Sequence, residues 1–337
     1  MAKRRLSEQQ QRRIRQRQRD QQAQARGAQS PADVERSPRT GLVIAQFGRL
    51  VLVANPPFGA DSTLVRCHVR ASLRDIAAGD EVVWQEGESG AAVITAVMPR
   101  RTALQRPDAR QKLRTVAANI DTVLIVIAPL PEPHRGLLDR YLVVTEHLRM
   151  RAVIVINKSD LADADSDVHG IATDYRHLGY DVLSVSAETG SGIAGLSRHI
   201  TDQTCVLVGQ SGVGKSSLLN RLIPEAGAAV GDLSEGEAKG THTTTTSRLF
   251  FLDNGSRLID SPGIREFAVT HLSDEEIARG MIEIRPLLGH CRFRDCRHLE
   301  EPECAIKEAA ESGIISPERM ASFRHMTDTQ DLRSTLP

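Results

Sequence analysis

The segment from Thr204 to Leu222 contains the residue pattern with the most definite chemistry in the chain. An apolar run of strand length, Cys205–Val208, precedes a match to G-x-x-x-x-G-K-[ST], and leucines at helical spacing follow it. Glycines allow successive backbone N–H groups to turn inward around a phosphate, and the helix adds the positive end of its dipole. This pattern predicts a phosphate loop made of Gly209, Gln210, Ser211, Gly212, Val213, Gly214, Lys215, Ser216 and Ser217.

Two side chains of this loop have specific roles in such a site. Lys215 is expected to reach the β- and γ-phosphates of a nucleoside triphosphate, and the Ser216 hydroxyl is expected to ligate Mg²⁺. A chance match is the alternative, and the strand before and the helix after the motif argue against it.

A second motif, Asn157-Lys158-Ser159-Asp160, directly follows the apolar strand Ala152–Ile156. Ligands of open α/β sheets bind at the carboxyl ends of the strands, so the motif has the right position for a base-binding site. The Asp160 carboxylate can accept hydrogen bonds from the N1–H and N2 amine of guanine, whereas adenine offers neither donor. A helix cap at Ser159 or Asp160 is the alternative interpretation.

Ser186 and Ala187 follow the next predicted strand, Asp181–Val185. A Ser-Ala pair in this position is typical of the loop whose backbone N–H meets the guanine carbonyl, although alone it indicates only a turn. Together with the two motifs above, it predicts a guanine nucleotide, GTP or GDP, as the ligand.

The region after the phosphate loop is expected to sense the γ-phosphate. Residues 226–239 are rich in glycine and acids and lack periodicity, as in a mobile switch, and a threonine-rich run, 240–246, follows. A threonine of that run is a candidate Mg²⁺ ligand while the γ-phosphate is present. Asp260, after a predicted hairpin, would hold Mg²⁺ through water, and the Gly263 N–H would meet the γ-phosphate.

The candidate catalytic residue is His242. Many GTPases place a glutamine after the D-x-x-G glycine to position the attacking water, but this chain has Ile264 there, which cannot bond to water. His242, beside the switch threonines, is the nearest polar candidate. A solvated switch histidine without a catalytic role is the alternative.

The order of these motifs is unusual, because the base-recognition loops precede the phosphate loop. The sheet can still close in this order, since domain termini lie near each other and permutation is tolerated there.

Cys291, Cys296, His298 and Cys304 fall within 14 residues of one another. Three thiolates and one imidazole form a closed tetrahedral set typical of structural Zn²⁺, with no open position for catalysis. Buried free thiols are the alternative, which the charged neighbours disfavour. The basic neighbours of the cluster, His290, Arg292, Arg294 and Arg297, make a surface suited to phosphates.

Charge and periodicity divide the remaining chain. Residues 1–26 carry a net charge of +7 in a chain of net charge zero, and residues 1–40 lack the apolar content to fold, so we expect a disordered basic arm. Five short predicted strands in residues 41–106 suggest an OB-fold barrel that holds structured RNA through phosphates, with help from Arg100, Arg101 and Arg106. Phe47, Phe58 and Trp84 are available either for base stacking or for the core.

The predicted fold is therefore multidomain. A β-barrel at 41–106 precedes an α/β P-loop GTPase domain, circularly permuted, at 107–270, and a small α-helical zinc-binding domain at 271–337 follows. The absence of a long apolar run or a signal peptide predicts a soluble, cytoplasmic protein with no membrane partner. We expect a monomer.

The motif order N-K-x-D, Ser-Ala, G-x-S-G-V-G-K-S-S, H-T-T-T, D-S-P-G and C-x₄-C-x-H-x₅-C resembles the bacterial ribosome small subunit-dependent GTPase A family, whose members are circularly permuted GTPases. The resemblance covers roughly residues 41–310. It implies an OB-fold, a permuted G domain and a zinc module that together engage the small (30S) ribosomal subunit and its rRNA in late maturation. It also implies GTP hydrolysis stimulated by the subunit. Among the four threonines after His242, Thr244 is the one we assign to Mg²⁺.

Two other functions remain open at this point. One is an RNA-binding protein that uses GTP only as a structural ligand, which the intact Lys215, Ser216 and Asp260 argue against. The other is a metabolic nucleotide enzyme, which the lack of a small-molecule domain argues against.

Overall fold

A computed structural model describes residues 37–71, 73, 75–87, 91–107, 113–164, 166–223, 247–260 and 272–334. Several predicted features lie outside these ranges. They are the basic arm up to residue 36, the switch segment with His242 and Thr244, and the residues after Asp260, which include Gly263 and Ile264.

The first five strands form a closed barrel, as predicted. Strands β1, β2 and β3 are antiparallel, β3 pairs in parallel with β5, and β4 pairs with both β5 and β1 to close the ring. Valines, two isoleucines and the indole of Trp84, which is 2% exposed, are the main side chains of its interior. The strands are β1 (Arg39–Phe47), β2 (Leu50–Ala54), β3 (Leu64–Val69), β4 (Glu81–Glu86) and β5 (Ala92–Val97).

An antiparallel hairpin that the sequence did not predict follows the barrel. It consists of β6 (Ala103–Pro107) and β7 (Leu113–Ala118). Tertiary hydrogen bonds hold it in place, since the Thr115 backbone N–H donates to the Asp75 carboxylate at 2.9 Å. Local alternation of apolar residues is weak in these strands, so their pairing depends on contacts distant in sequence.

The GTPase sheet has the strand order β10-β9-β8-β11-β13-β12, with parallel neighbours except β12. Its central strands read as continuous apolar runs because helices cover both faces. The strands are β8 (Thr122–Ile127), β9 (Arg151–Ile156), β10 (Asp181–Ser184), β11 (Thr204–Gly209), β12 (Arg248–Phe251) and β13 (Arg257–Asp260). The helices are α1 (Arg135–His147), α2 (Asp167–His177), α3 (Ile193–His199) and α4 (Lys215–Leu222). The sequence had not predicted α2.

The barrel and the GTPase sheet are continuous. Strand β1 pairs with β12 through Ala45 and Arg248, and this pair joins the two parts into one sheet of eleven strands. Strand β12 also pairs with β13, which ends at Asp260. The barrel therefore touches the hairpin that leads to the predicted γ-phosphate sensor.

The C-terminal region is helical. From the sequence we expect one helix over Asp274–Leu288, before the cysteine cluster, and this prediction is wrong in its length. Helix α5 (Asp274–Gly280) ends early, and a 3₁₀ turn, Arg285–Leu287, follows it. A Cβ at Gly280 would lie 2.8 Å from a Val143 methyl, so the glycine lets α5 approach α1 closely. Helices α6 (Ala305–Glu311) and α7 (Pro317–Ser334) complete the region, and α7 was not predicted.

A membrane-spanning helix would need a long apolar stretch. Among the residues described above, no helix is both long enough and apolar enough to cross a membrane.

Candidate functional site

The phosphate loop connects the buried strand β11 to helix α4, as its motif predicts. Gly209, Gly212 and Gly214 have φ values of 140°, 83° and 87°, in the region that favours glycine. A Cβ at Gly214 would lie 2.4 Å from the Asn157 amide nitrogen, and one at Gly209 would lie 2.1 Å from a backbone oxygen of β8. These two glycines are therefore required by close packing as well as by backbone angle.

Asn157 joins three loops of the site. Its buried side chain donates from Nδ2 to the Val213 carbonyl at 2.9 Å, and its Oδ1 accepts from the Ala187 backbone N–H at 3.1 Å. The base-recognition motif, the phosphate loop and the Ser-Ala loop are thereby tied together. From the sequence, the order of the strands was the only basis for expecting these motifs to lie close together.

Lys158 and its neighbours complete the base-recognition segment. The Lys158 ammonium donates to the carbonyls of Gly212 at 2.7 Å and Leu130 at 2.9 Å. Asp160 lies exposed in the 3₁₀ turn Ser159–Leu161, where its carboxylate is accessible to a ligand. The residue at the N-cap of this turn is Lys158, without a side-chain cap bond, so the helix-cap interpretation of Ser159 and Asp160 finds no support.

The Ser-Ala loop is fixed by its own hydrogen bonds. Ser186 is fully buried, its hydroxyl accepts from the Thr189 N–H at 3.1 Å, and its N–H donates to the Ser191 carbonyl at 2.9 Å. The Ser159 N–H donates to the Val185 carbonyl just before this loop at 3.0 Å. The two base-side loops therefore form one connected edge.

Lys215 begins α4, just after the loop that follows β11, and Asp260 ends the neighbouring strand β13. The Lys215 ammonium donates to the carbonyls of Gly209 at 2.9 Å and Gln210 at 2.7 Å, which keeps it within the phosphate loop. Burial raises the pKa of Asp260, and the positive charge of Lys215 opposes this shift as the smaller effect. Ser216 and Ser217 are exposed in the first turn of α4, and Ser211 is exposed in the loop.

Sequence reasoning missed the loop that follows β8. The Leu130 carbonyl holds Lys158, and Pro131 lies 3.5 Å from the position of a Cβ on Gly212. The apolar strand β8 was the signal in the sequence that could have identified this loop. Because β8 lies between β9 and β11 in a parallel sheet, its carboxyl end had to open on the same edge.

The four predicted metal ligands converge. Their ligand atoms all lie within 4.8 Å of one another, with Cys291 Sγ 3.8 Å from Cys304 Sγ and 3.4 Å from His298 Nδ1. Cys304 Sγ lies 3.5 Å from the same nitrogen. A tetrahedron with Zn–S bonds of about 2.3 Å and Zn–N bonds of about 2.0 Å has edges of roughly 3.5–3.8 Å, so the spacing fits such an ion. The Cys296 thiol completes the set.

Hydrogen bonds and packing stabilise the loop that carries these ligands. The Glu301 carboxylate accepts from the backbone N–H groups of Arg297 at 2.9 Å and Leu299 at 2.8 Å. The His298 ring lies 6.3 Å from the Phe323 ring of α7, which restrains its orientation. The other two cysteines, Cys67 and Cys205, are buried thiols whose pKa burial raises to about 12, as expected for small apolar residues.

The barrel exit differs from expectation. Arg100, predicted to contact RNA, instead forms a bidentate ion pair with the buried Asp80, at 2.7 and 2.8 Å, and donates to Thr115 Oγ1 at 2.7 Å. A carboxylate of zero exposure requires such a partner, so Arg100 is structural. Arg101 is exposed and pairs with Asp121 at 2.6 Å.

The three barrel aromatics divide between core and surface. Trp84 belongs to the core, whereas Phe47 and Phe58 are 43% and 38% exposed. Only the two phenylalanines therefore remain available for base stacking.

A family model and individual relatives of known name match this chain, and they agree on one family. A family described as RsgA GTPase matches residues 97–270. The "Small ribosomal subunit biogenesis GTPase RsgA" of Azotobacter vinelandii is 47% identical over 334 residues, and that of Pseudomonas aeruginosa PAO1 is 48% identical over 335 residues. Each alignment covers 97% of both chains.

Two solved structures have a similar fold. YjeQ from Thermotoga maritima superposes with a TM-score of 0.69 at 30% identity, covering 87% of this chain and 98% of that one. YloQ, described as a circularly permuted GTPase, gives the same TM-score at 26% identity, covering 92% of this chain and all of YloQ. The permuted order of motifs is thus shared with a known GTPase structure.

Proposed function

Because the chain belongs to the RsgA GTPase family and is a GTP hydrolase, we propose that it binds the small ribosomal subunit and assists its late maturation. In this proposal the protein hydrolyses GTP to GDP and phosphate, and the bound subunit stimulates the turnover. The observation that carries the proposal is the convergence of the base-side and phosphate-side loops on Asn157. The relatives named for small-subunit biogenesis match nearly the whole chain, including the barrel and the cysteine cluster, which supports the partner.

Each loop has a defined task in the proposed reaction. The backbone N–H groups of the phosphate loop and the Lys215 ammonium would bind the β- and γ-phosphates, and their positive charge would stabilise the transition state. Asp160, Ser186 and Ala187 select guanine and fix its orientation. His242 would orient the attacking water, a role that Ile264 cannot perform because its side chain forms no hydrogen bonds.

The same proposal assigns two metal ions. Ser216, Thr244 and, through water, Asp260 would hold Mg²⁺, which supplies charge neutralisation between the β- and γ-phosphates when bound. The cluster described above would hold one structural Zn²⁺, because its three thiolates and one imidazole match that ion in donor type and spacing.

The zinc assignment predicts one Zn²⁺ per chain and a loss of folding in the C-terminal region when Cys296 is replaced by alanine. Structural zinc contributes folding free energy directly, so removing one ligand destabilises the region around it. Elemental analysis of purified protein measures the stoichiometry, and limited proteolysis of the Cys296→Ala variant reports the unfolding. The Cys67→Ala variant, which alters a buried thiol in the barrel, should keep its zinc. Protein that carries no zinc after purification without chelators would contradict the assignment.

The deciding experiment measures GTP turnover with and without small ribosomal subunits. Strong stimulation by small subunits, with little effect of large subunits at equal concentration, is the expected result. Subunit binding without any turnover would instead favour the RNA-binding alternative in which GTP is a structural ligand. GTP turnover that small subunits do not change would contradict the proposed partner.

A further inference from the structure

Ser211 is an exposed residue of the phosphate loop whose backbone is held on both sides. The Lys215 ammonium donates to the Gln210 carbonyl, just before the serine, at 2.7 Å. The Lys158 ammonium donates to the Gly212 carbonyl, just after it, also at 2.7 Å. One lysine from the phosphate loop and one from the base-recognition motif therefore fix the position from which this side chain extends.

The loop also brings Ser211 close to the group that is expected to contact the γ-phosphate. From standard peptide dimensions, a carbonyl oxygen lies about 2.8 Å from the Cα of the next residue. Because the Lys215 ammonium is 2.7 Å from the Gln210 oxygen, it lies at most about 5.5 Å from the Ser211 Cα. In a phosphate loop this ammonium contacts the β- and γ-phosphates. A hydroxyl on the Ser211 Cα can reach the same phosphates.

The hydroxyl of Ser211 is available for a ligand. It has no hydrogen-bond partner among the residues that the structure describes, whereas the second serine of the motif, Ser216, is assigned to Mg²⁺. A hydroxyl has one donor and two acceptor lone pairs. It can therefore donate to a γ-phosphate oxygen and accept a hydrogen bond from a neighbouring water molecule at the same time.

We propose that Ser211 is a catalytic residue of GTP hydrolysis, whose hydroxyl donates to a γ-phosphate oxygen and accepts a hydrogen bond from the attacking water. The inference rests on the nucleotide site of the proposed function, and it adds a side-chain role to a residue that was only part of the loop. A water molecule has two protons, so Ser211 holds one of them while His242 holds the other.

Ser211 keeps its own proton throughout this reaction. The water oxygen forms a bond to the γ-phosphorus, and the bond from that phosphorus to the β,γ-bridging oxygen breaks with its electron pair on GDP. The protons of the water pass to the released phosphate and to solvent. The hydroxyl therefore contributes position and charge stabilisation, and it forms no covalent intermediate.

The test measures single-turnover GTP hydrolysis by the full, zinc-loaded chain with Mg²⁺, both without and with small subunits. Ser211→Ala should slow hydrolysis by roughly 10- to 100-fold in both conditions, the size expected for one lost hydrogen bond to a charged group. Its affinity for GTP should stay within about twofold of the wild type, because an exposed hydroxyl exchanges water for phosphate with little net gain. Ser211→Thr keeps a hydroxyl and should keep the rate. Thr173→Ala, which removes an exposed hydroxyl on α2, is the control and should match the wild type.

A transition-state analogue gives a second readout that does not depend on turnover. GDP with aluminium fluoride imitates the γ-phosphoryl group in its transition state, and such analogues bind more tightly than substrates. Ser211→Ala should weaken binding of this analogue by the same factor as the rate, while its binding of GDP alone stays unchanged. Retained binding of GDP also shows that the variant is folded.

The outcomes separate this inference from the nucleotide site on which it rests. A wild-type rate and wild-type affinity for the analogue in Ser211→Ala would overturn the catalytic role. Equal losses of affinity for GTP and for the analogue would make Ser211 a simple phosphate contact, and the catalytic role would again be wrong. If Lys215→Ala bound GTP as tightly as the wild type, the nucleotide site itself would be wrong, and the role of Ser211 with it.

Discussion

At the residue scale, the choice of base is expected to depend on the Asp160 carboxylate. It lies exposed at the edge where the Asn157 contacts bring the loops together, and no side-chain capping bond is formed at the start of its 3₁₀ turn. Because an acceptor can pair with the N1–H and N2 amine of guanine, removing that acceptor changes which base fits.

We predict that Asp160→Asn weakens GTP binding by about 10- to 100-fold and shifts preference toward xanthine nucleotides, since the amide donates where the carboxylate accepted. A competition titration with GTP, XTP and ATP measures the shift. Asp163→Asn, three residues away and also exposed, is the control and should leave the preference for GTP intact. A wild-type protein that bound ATP and GTP equally would contradict the assignment of Asp160.

The catalytic histidine is a second prediction at this scale, and it rests on sequence alone. His242→Ala should slow subunit-stimulated GTP hydrolysis by roughly 10²-fold or more while GTP affinity stays nearly constant, because only the attacking water loses its partner. Single-turnover kinetics with bound GTP separate the two quantities. His177→Ala, at the exposed end of α2, should behave like the wild type. Near-normal stimulated turnover in His242→Ala would assign the role to another group.

At the scale of helices and strands, a buried ionic cluster fixes the C-terminal region to the GTPase domain. Arg319 of α7 donates to Asp139 of α1 at 2.5 Å and binds both carboxylate oxygens of Glu283 at 2.6 and 2.9 Å. The Tyr175 hydroxyl of α2 donates to the same Asp139 oxygen. Burial disfavours the charge of Arg319, but the two carboxylates outweigh burial and raise its pKa. One guanidinium therefore joins three helices and the segment after α5.

We predict that Arg319→Ala lowers the free energy of unfolding by about 3–5 kcal/mol, because two buried carboxylates lose their counter-charge. Urea denaturation followed by circular dichroism measures the change. Arg324→Ala, on the exposed side of α7, should change the free energy by about 0.5 kcal/mol or less. If Arg319→Ala and Arg324→Ala unfolded at the same urea concentration, the cluster would not stabilise the domain contact.

At the scale of the whole molecule, the barrel and the C-terminal region contact different parts of the GTPase domain. The barrel joins β12, in the hairpin that ends at Asp260, whereas α5 and α7 pack on α1. Loss of the γ-phosphate releases switch loops in GTPases. The chain passes from Asp260 to the start of α5 in 14 residues, so a displacement at the sensor has short routes to both outer parts.

We predict that the GTP-bound protein binds small subunits more tightly than the GDP-bound protein, by 5- to 150-fold, the usual size of coupling between two sites. Sedimentation with small subunits in a non-hydrolysable GTP analogue and in GDP measures the ratio. Large subunits serve as the control and should show no dependence on nucleotide. Equal affinities in the two states would refute the switch and leave hydrolysis at most a timer.

The sequence by itself determined the features whose signals are local. The glycine spacing of the phosphate loop, the apolar strands before each motif and the Cys-His spacing each lie within one short segment, and the structure places them as predicted. The closed barrel was predictable for the same reason, because its strands alternate with clear turn residues. The sequence predicted that the loops of Asn157 and Ala187 lie at the same edge of the sheet, because the carboxyl ends of parallel strands meet there. It did not predict the hydrogen bond between these two residues.

The tertiary structure alone decided the features built from residues far apart in sequence. Arg319 and Asp139 are 180 residues apart, and neither a helix period nor a motif links them. Arg100 looked like an RNA contact because a sequence shows charge but not the buried Asp80 that requires it. The β6–β7 hairpin likewise depends on Asp75, and the close packing of Gly280 of α5 against Val143 of α1 forms only when the chain has folded. A local sequence pattern indicates which helix or strand a segment can form. Which distant residues contact each other depends on burial and on neighbouring charges, and these are set only when the core has assembled.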